Sequence, residues 1–443
     1  MKKKKKESED APNREHKVSW QEVYASPEEI QEMLSRRVML RYNEVRGRPE
    51  IHYLSEGPVI GENEQGLLTI FGGDGGVTDG YSNLEERDIK SLWLDLYKEK
   101  KLTMKYLENV IGSDFVPKYH PFREYLKALP KWNGYEDYIL ELSMTVHVKG
   151  NSDDQLLFYV YLKKWLVWMV ASWVDPKVVN HVMLVLIGAQ GSYKTTWFSH
   201  LLPPQLRDYF YTKTNAGMVS KDDLLVLAQY GLVCWEELDS MQQKELNKLK
   251  AAMTMPSINE RAAYAHYHEN RPHLASFCGT GNNVQFLSDT TGTRRWLPFE
   301  VESIDSPLTT PFNHDGIFSQ AYDLYQQGFR YWFDRDEMAQ LHKHNEHFET
   351  EHSELNLVDL HFRKPVGEEP RQLISATMAL QMIGGNIAQT LSKVRIGQAF
   401  AKLGFEYKRN THQRGFVAVH RTGVEMDNYR RQLAESDDDT MTL

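Results

Sequence analysis

The sequence predicts an α/β fold built around a parallel sheet, and three continuous apolar runs carry that prediction. The runs cover residues 181–187, 231–235 and 274–278. Strands of a parallel sheet are buried on both faces, so they appear in a sequence as unbroken runs of apolar residues. Helical stretches separate the three runs, which is the alternation expected of a three-layer α/β domain. After Pro298 the pattern becomes helical, with helices predicted over 316–326 and 334–348.

Length and composition set the limits of that prediction. A chain of 443 residues predicts two to four domains, and 41% hydrophobic with 26% charged residues excludes global disorder. A net charge of −9 excludes a uniformly basic nucleic-acid coat, although a local basic face stays open. Two cysteines, Cys234 and Cys278, exclude a disulfide framework and a four-cysteine zinc site. No apolar run approaches the roughly 20 residues of a membrane span, so a cytoplasmic protein without a membrane partner is expected.

Three segments are expected before the sheet. Residues 1–18 form a charged tail that begins with a lysine run, and a solvated, disordered tail is favoured over a nucleic-acid or lipid contact. Residues 19–115 form an α+β domain whose first helix begins with a capping pattern at Ser26. Residues 116–180 form a helical connector packed on the following domain, with Trp165, Trp168 and Trp173 in the core or at a subunit contact rather than on a base-stacking platform.

The main α/β domain is expected over residues 181–335, followed by a helical connector at 336–360. Residues 361–425 form a basic unit, and its 361–421 part carries ten cationic and three acidic side chains, or +7. Two helices followed by a basic hairpin predict a winged-helix-like domain that binds nucleic-acid phosphates, and a small packing domain with a solvated basic face is the alternative. Residues 426–443 form an acidic tail.

The loop after the first apolar run has the composition of a phosphate-binding loop. A helix with an apolar face follows it, as such a loop requires. Backbone N–H groups of the loop are expected to wrap a phosphate, Lys194 to reach the β- and γ-phosphates, and the Thr195 hydroxyl to ligate Mg²⁺. Tyr193 stands where the pattern has its second glycine, which leaves nucleotide affinity open, and Gly191 offers backbone freedom two positions earlier. The candidate nucleotide-binding residues are Gly188, Gln190, Gly191, Ser192, Tyr193, Lys194, Thr195 and Thr196.

Acidic residues end the second apolar run. Glu236 is assigned to Mg²⁺ binding and Glu237 to polarising the attacking water. A carboxylate at the end of such a strand can bind the metal or polarise the water. The two roles could be reversed, and Asp239 is a third candidate. In the non-functional interpretation these acids cap the next helix.

Polar and cationic candidates follow the third run. Asn282 can orient a water against the γ-phosphate, and the pair Arg294 and Arg295 suits neutralisation of transition-state charge, within a subunit or across a ring interface. Arg261 and Arg271 are further cationic candidates.

Taken together, these motifs resemble the virulence-associated protein E family. That family is similar to the superfamily 3 and phage or poxvirus primase–helicase ATPases of mobile elements, and the resemblance covers about 117–332. It implies a P-loop NTPase core of the AAA+-like type, with ATP and Mg²⁺ as cofactors. It also implies DNA translocation by a homo-oligomeric ring, expected to be a hexamer, with a primase or another replication protein as partner. Residues 1–115 carry no primase-like acidic signature, so priming by this chain is not expected.

The expected function is therefore that of an ATP-dependent DNA helicase or translocase in the replication of a phage or mobile genetic element. Its DNA substrate could be single- or double-stranded. A nucleotide-gated replication initiator that binds DNA without processive unwinding is the alternative. A small-molecule kinase is less favoured, because the sequence shows no evident lid for an acceptor.

Overall fold

The computed structural model describes most of the chain in two compact units. The described residues are 24–54, 60–62, 68–70, 80–214, 221–260, 269–287, 293–349, 353–367, 369–384, 391–410 and 413–440. The first unit contains the described residues up to 282 together with 295–334, and the second contains those of 283–294 and 335–443. The lysine run and the candidate Arg261 lie outside the described residues. The expected α/β fold is confirmed, whereas the proposed domain boundaries stay predictions.

The first unit begins with an α+β region that has its own core. Helix α1 starts where expected, because the Ser26 hydroxyl accepts from the Glu29 N–H while the Glu29 carboxylate accepts from the Ser26 N–H. A four-stranded sheet of order β5-β2-β1-β6 packs against three helices. The elements are α1 Pro27–Ser35, β1 Val38–Asn43, β2 Arg48–Tyr53, β3 Ile60–Glu62, β4 Leu68–Ile70, β5 Ser82–Asn83, α2 Glu86–Glu99, α3 Met104–Ile111 and β6 Lys118–Tyr119.

A helical segment leads from this region to the central sheet. Its elements are α4 Pro121–Ala128, α5 Tyr138–Met144, β7 Val146–Val148 and α6 Ser152–Val174. Helix α6 is apolar around most of its circumference, and Trp165, Trp168 and Trp173 are all buried. The Trp165 indole donates to the carbonyl of Phe277, 3.0 Å away in the central sheet. The tryptophans therefore belong to the core of the first unit.

The central sheet has six strands in the order β7-β14-β8-β13-β10-β9, and five of them are parallel. Strands β8, β10 and β13 are buried throughout, as the apolar runs predicted. A two-stranded hairpin and four helices complete this part of the unit. The elements are β8 Met183–Ile187, α7 Lys194–Leu201, β9 Phe210–Lys213, α8 Lys221–Gln229, β10 Leu232–Trp235, α9 Gln243–Met253, β11 Ser257–Glu260, β12 Glu269–Pro272, β13 Ser276–Gly281, β14 Trp296–Ile304 and α10 His314–Gln326.

Strand β14 was not predicted, whereas the helices predicted after it are present at His314–Gln326 and Arg335–Asn345. The strand pairs with β8 through residues 296–300 and with β7 only through residues 301–304. Pro298 therefore lies where β14 has a partner on one side alone, and a strand tolerates proline in such an edge-like position. Because β14 lies on one side of β8 and β13 on the other, β8 is an interior strand of the sheet.

The second unit holds a small antiparallel sheet and several helices. Strand β18 pairs with β15, β16 and β17, and a compact apolar core lies between this sheet and the helices. The elements are α11 Arg335–Asn345, α12 Ser353–His361, β15 Phe362–Arg363, β16 Gln372–Ile374, α13 Ala376–Ile383, α14 Lys393–Lys402, β17 Tyr407–Arg409, β18 Arg414–His420 and α15 Gly423–Thr440. In the part of the chain that the structure describes, every helix is too short or too polar to span a membrane.

Candidate functional site

Lys194 lies at the first position of α7, directly after the loop that leaves β8. Its side chain is buried, and its ammonium group donates to the carbonyls of Gly188 at 2.8 Å and Ala189 at 2.7 Å. A third bond, of 3.2 Å, joins it to the Ser192 hydroxyl. Burial lowers the pKa of Lys194, and the nearby Asp239 carboxylate partly offsets that effect. The loop thus curls around a buried cation.

The backbone of this loop alternates in the sign of φ. Gly191 has φ +83° and Tyr193 has φ +60°, whereas Gln190, Ser192 and Lys194 keep negative values. Alternating right- and left-handed residues turn successive N–H groups toward one side, which makes an anion-binding concavity. Tyr193 is nearly half exposed and holds the left-handed conformation although it carries a β-carbon. The loop therefore alternates in backbone handedness although a tyrosine stands at the position of the second glycine.

Tyr193→Gly is expected to stabilise the first unit relative to Tyr193→Ala by about 1 kcal/mol. The left-handed region costs a residue with a β-carbon roughly 1–2 kcal/mol, and glycine avoids that cost although it loses more entropy on folding. The free energy of unfolding in denaturant measures the difference. A glycine variant that is less stable than the alanine variant would contradict the assignment of strain to Tyr193.

Thr195 and Glu236 meet across the carboxyl end of the sheet. The Thr195 hydroxyl donates to a carboxylate oxygen of Glu236 at 2.8 Å, although β13 separates β8 from β10. The N–H of Glu236 donates to the Lys213 carbonyl at 3.1 Å, which fixes Glu236 at the end of the edge strand β9. Hydroxyl and carboxylate oxygens are ligands that suit Mg²⁺. Thr195 and Glu236, the two residues predicted to bind Mg²⁺, are therefore in contact in the structure.

The neighbouring acids occupy two different positions. Glu237 is exposed and has φ +54°, so it shares with Tyr193 the left-handed region that residues other than glycine rarely adopt. Asp239 is partly buried, and a β-carbon added at Gly281 would lie 3.1 Å from its carboxylate. Gly281 also accepts the N–H of Gly188 through its carbonyl. Sequence reasoning missed Gly281 and the Lys213 carbonyl, because only the strand order brings them to the loop.

The remaining candidate residues differ in their exposure to solvent. Gln190 is exposed, and the Thr196 carbonyl accepts bonds from Ser199 and His200 one turn along α7. Asn282 is exposed directly after β13. Arg295 belongs to the first unit and is partly exposed, and Arg294 belongs to the second unit and is exposed.

Two other features constrain the chemistry. Among the described residues there is no group of three or more His, Cys, Asp and Glu side chains that could hold a metal ion. A cation at Thr195 and Glu236 would therefore need further oxygen ligands, such as phosphate or water, which is the usual way in which proteins bind Mg²⁺. Cys234 and Cys278 face each other in register on β10 and β13, and burial raises the pKa of the Cys278 thiol.

Comparison with known proteins gives one family and several distant structures. Structures of the NrS-1 C-terminal region are similar at 11–12% identity, all in apo form. Two in the A form have TM-scores of 0.35 and 0.39 and cover 73% and 76% of this chain and 67% and 78% of theirs. A third has a TM-score of 0.42 and covers 89% of this chain and 98% of its own. At these scores the likeness carries no conclusion about this chain. No curated protein matches the sequence.

The family comparison covers the site and the sheet around it. The model of the virulence-associated protein E-like domain matches residues 127–350, which is just over half of the chain. The matched range runs from the end of α4 through the central sheet and includes Lys194, Thr195 and Glu236. The family expected from the motifs is therefore confirmed, and this chain belongs to the virulence-associated protein E-like domain family.

Proposed function

We propose that this protein is a Mg²⁺-dependent ATPase that moves on DNA as a helicase or translocase during replication of a phage or mobile genetic element. One observation carries the proposal. The buried Lys194 ammonium lies in a loop of alternating backbone handedness, and the next residue, Thr195, is bonded to the Glu236 carboxylate. Phosphate, a cation and a nucleophilic water could all be held at that point.

Each of these residues has a specific role in the proposal. The backbone N–H groups of residues 191–194 cradle a phosphate, and Lys194 exchanges its carbonyl partners for phosphate oxygens, with which a charged donor makes stronger bonds. Thr195 and Glu236 hold Mg²⁺, whose chemistry is to neutralise phosphate charge. The existing hydroxyl–carboxylate bond supports placing Glu236, rather than Glu237, on the metal side.

Water activation is assigned to Glu237. Its exposed carboxylate follows the metal-side residue directly, and its left-handed backbone is of the kind that persists at functional sites although it is strained. Asn282, at the end of β13, is assigned to orient that water. The arginines Arg294 and Arg295 are assigned to neutralise charge in the transition state.

The strand order supports a ligand site at this edge of the sheet. The connection that leaves β8 runs to β9 at one edge, whereas the connection that leaves β13 crosses to β14 on the other side of β8. Open parallel sheets bind ligands at the carboxyl ends of the strands where connections diverge in this way. The loop with Lys194 begins at that point.

Action on DNA is proposed from the second unit. Its order of a helix, two short strands, two helices and a two-stranded hairpin supports a winged-helix-like domain. The hairpin β17–β18 exposes Lys408, Arg409 and Arg414, and α14 exposes Lys393 and Lys402. Such a face can bind phosphates. A hexameric ring and a primase partner remain further proposals that follow from the family.

Turnover measured with DNA tests the function. We expect ATP hydrolysis that needs Mg²⁺, that single-stranded DNA stimulates, and that drives displacement of a labelled strand. Turnover without strand displacement would favour the initiator, which the exposed basic face of the second unit also fits. Absence of ATP binding and hydrolysis would rule out both functions.

Removing two hairpin charges is expected to weaken DNA binding and its salt dependence. For Arg409→Ala/Arg414→Ala, the slope of log affinity against log salt concentration should fall by up to about 1.8, since each duplex phosphate contact contributes about 0.9. Fluorescence anisotropy over a salt series measures it. The charge-matched control is Arg430→Ala/Arg431→Ala on α15 in the same unit. Equal slopes in both double variants would indicate a solvated basic face without a DNA contact.

A further inference from the structure

The N-terminal region of the first unit meets the central sheet through a buried polar contact. The apolar core of that region draws only on residues 25–116, so it is separate from the core of the central sheet. The contact itself is made by the turn between β1 and β2 together with Glu50 and Tyr209. A polar contact between two separate cores fixes their geometry more sharply than apolar packing does, because its hydrogen bonds are directional.

Asn43 is the centre of this contact. It is fully buried, and its amide nitrogen donates to Glu50 at 2.6 Å and to the Tyr209 hydroxyl at 2.7 Å. Its amide oxygen accepts the N–H groups of Val45 at 3.1 Å and Arg46 at 3.0 Å. Both donors and both lone pairs of the amide are therefore used. The side chain has one orientation in which all four bonds are made.

Two arginines contact the partners of Asn43: Arg41 contacts Glu50, and Arg46 contacts Tyr209. Glu50 is almost fully buried and accepts a second bond from Arg41, 2.7 Å away. The Tyr209 hydroxyl oxygen accepts the Asn43 bond, and burial raises the pKa of Tyr209 to about 12. The Arg46 guanidinium lies over the Tyr209 ring, 4.8 Å from its centroid.

Tyr209 stands one residue before β9, the edge strand of the central sheet. Its carbonyl accepts the N–H of Gly231, and β9 then pairs in register with β10 from Phe210–Leu232 to Lys213–Trp235. The next bond in this ladder joins the Lys213 carbonyl to the N–H of Glu236. A four-residue strand thus runs from the Asn43 contact to the proposed metal-side carboxylate.

We propose that Asn43 and Tyr209 are positioning residues that set the place of Glu236 through strand β9, and so couple the N-terminal region to the nucleotide site. The inference rests on the proposed function for its kinetic readout. A shift of β9 along β10 would move the Lys213 carbonyl, and with it the Glu236 carboxylate that Thr195 contacts. Neither Asn43 nor Tyr209 touches the nucleotide in this proposal.

Tyr209→Phe tests the inference, because it removes a single hydroxyl. We expect the half-saturating Mg²⁺ concentration for ATP hydrolysis to rise about threefold and the amide exchange of residues 232–236 to accelerate. Tyr211→Phe is the matched control, since it removes a hydroxyl two residues further along, on β9 itself, and the Tyr211 ring packs against Tyr230 instead of the Asn43 contact. In an Asn43→Ala background, Tyr209→Phe should have no further effect.

The outcomes separate this inference from the proposed function. If Tyr209→Phe matches Tyr211→Phe in Mg²⁺ dependence and in amide exchange, the inference is overturned, whatever the melting temperature does. If the chain hydrolyses no ATP, the proposed function fails, and amide exchange at residues 232–236 still decides the coupling. If Asn43→Ala does not fold, the comparison of the two tyrosine variants decides alone.

Discussion

Lys194→Ala is expected to lower ATP turnover by about a hundredfold or more, which is the usual cost of removing one preorganised donor from a transition state. The Lys194 side chain is buried, and its ammonium group is held in the loop by the carbonyls of Gly188 and Ala189, which it exchanges for phosphate oxygens in the proposal. The variant should remain folded, because those bonds lie within one loop. Steady-state hydrolysis measures the turnover, and titration with a fluorescent nucleotide measures nucleotide binding.

Lys248→Ala is the control for the loss of a lysine. Lys248 lies on α9, is partly exposed and pairs with Glu245 one turn earlier on the same helix. Its removal should leave turnover within about twofold of the unmodified chain, as expected for a surface ion pair of small energy. Turnover of Lys194→Ala at the level of this control would falsify the assignment of the loop.

Trp165→Ala is expected to cost the first unit about 3–5 kcal/mol of unfolding free energy, the range for removal of a large buried aromatic side chain. Trp165 has no exposed surface, and its ring also lies near Phe198 on α7. Its indole donates to the Phe277 carbonyl on β13, so the change opens a cavity and removes a buried hydrogen bond. Chemical denaturation monitored by circular dichroism measures the loss.

Two further variants interpret that loss. Trp165→Phe keeps most of the packing but leaves the Phe277 carbonyl without the indole donor, and we expect a smaller cost of about 1–3 kcal/mol. Trp332→Ala serves as the exposed control, since half of Trp332 is accessible to solvent. If Trp165→Ala and Trp332→Ala unfold at the same denaturant concentration, Trp165 does not join α6 to the sheet.

The sequence predicted those strands that are buried on both faces. Strands β8, β10 and β13 consist almost entirely of apolar residues, and their burial makes that composition necessary. Strand β9 is a short edge strand of mixed polarity, so no periodic pattern distinguishes it from a loop. Strand β14 contains Pro298 and two glutamates, so it is not an unbroken apolar run. It pairs with β8 over one part of its length and with β7 over the other.

The candidate site was predictable where chemistry lies within a motif. Lys194, Thr195 and Glu236 were predicted from local spacing, and the structure brings all three to one end of the sheet. The Asn43–Tyr209 contact was not predictable, because its partners are 166 residues apart and neither belongs to a recognisable pattern. The proximity of Asp239 to Gly281 likewise depends on the order of strands, which residue types alone do not specify.

The left-handed Tyr193 has a consequence for how related chains are recognised. A sequence pattern that requires glycine immediately before the lysine excludes this loop, whereas a search for a positive φ at that position includes it. Left-handed conformations at residues other than glycine are uncommon, and among the described residues Tyr193 and Glu237 alone adopt one. Distant members of the family can therefore be sought by a pair of left-handed residues, one directly before the lysine and one directly after the acid at the strand end. Such a search does not require glycine before the lysine.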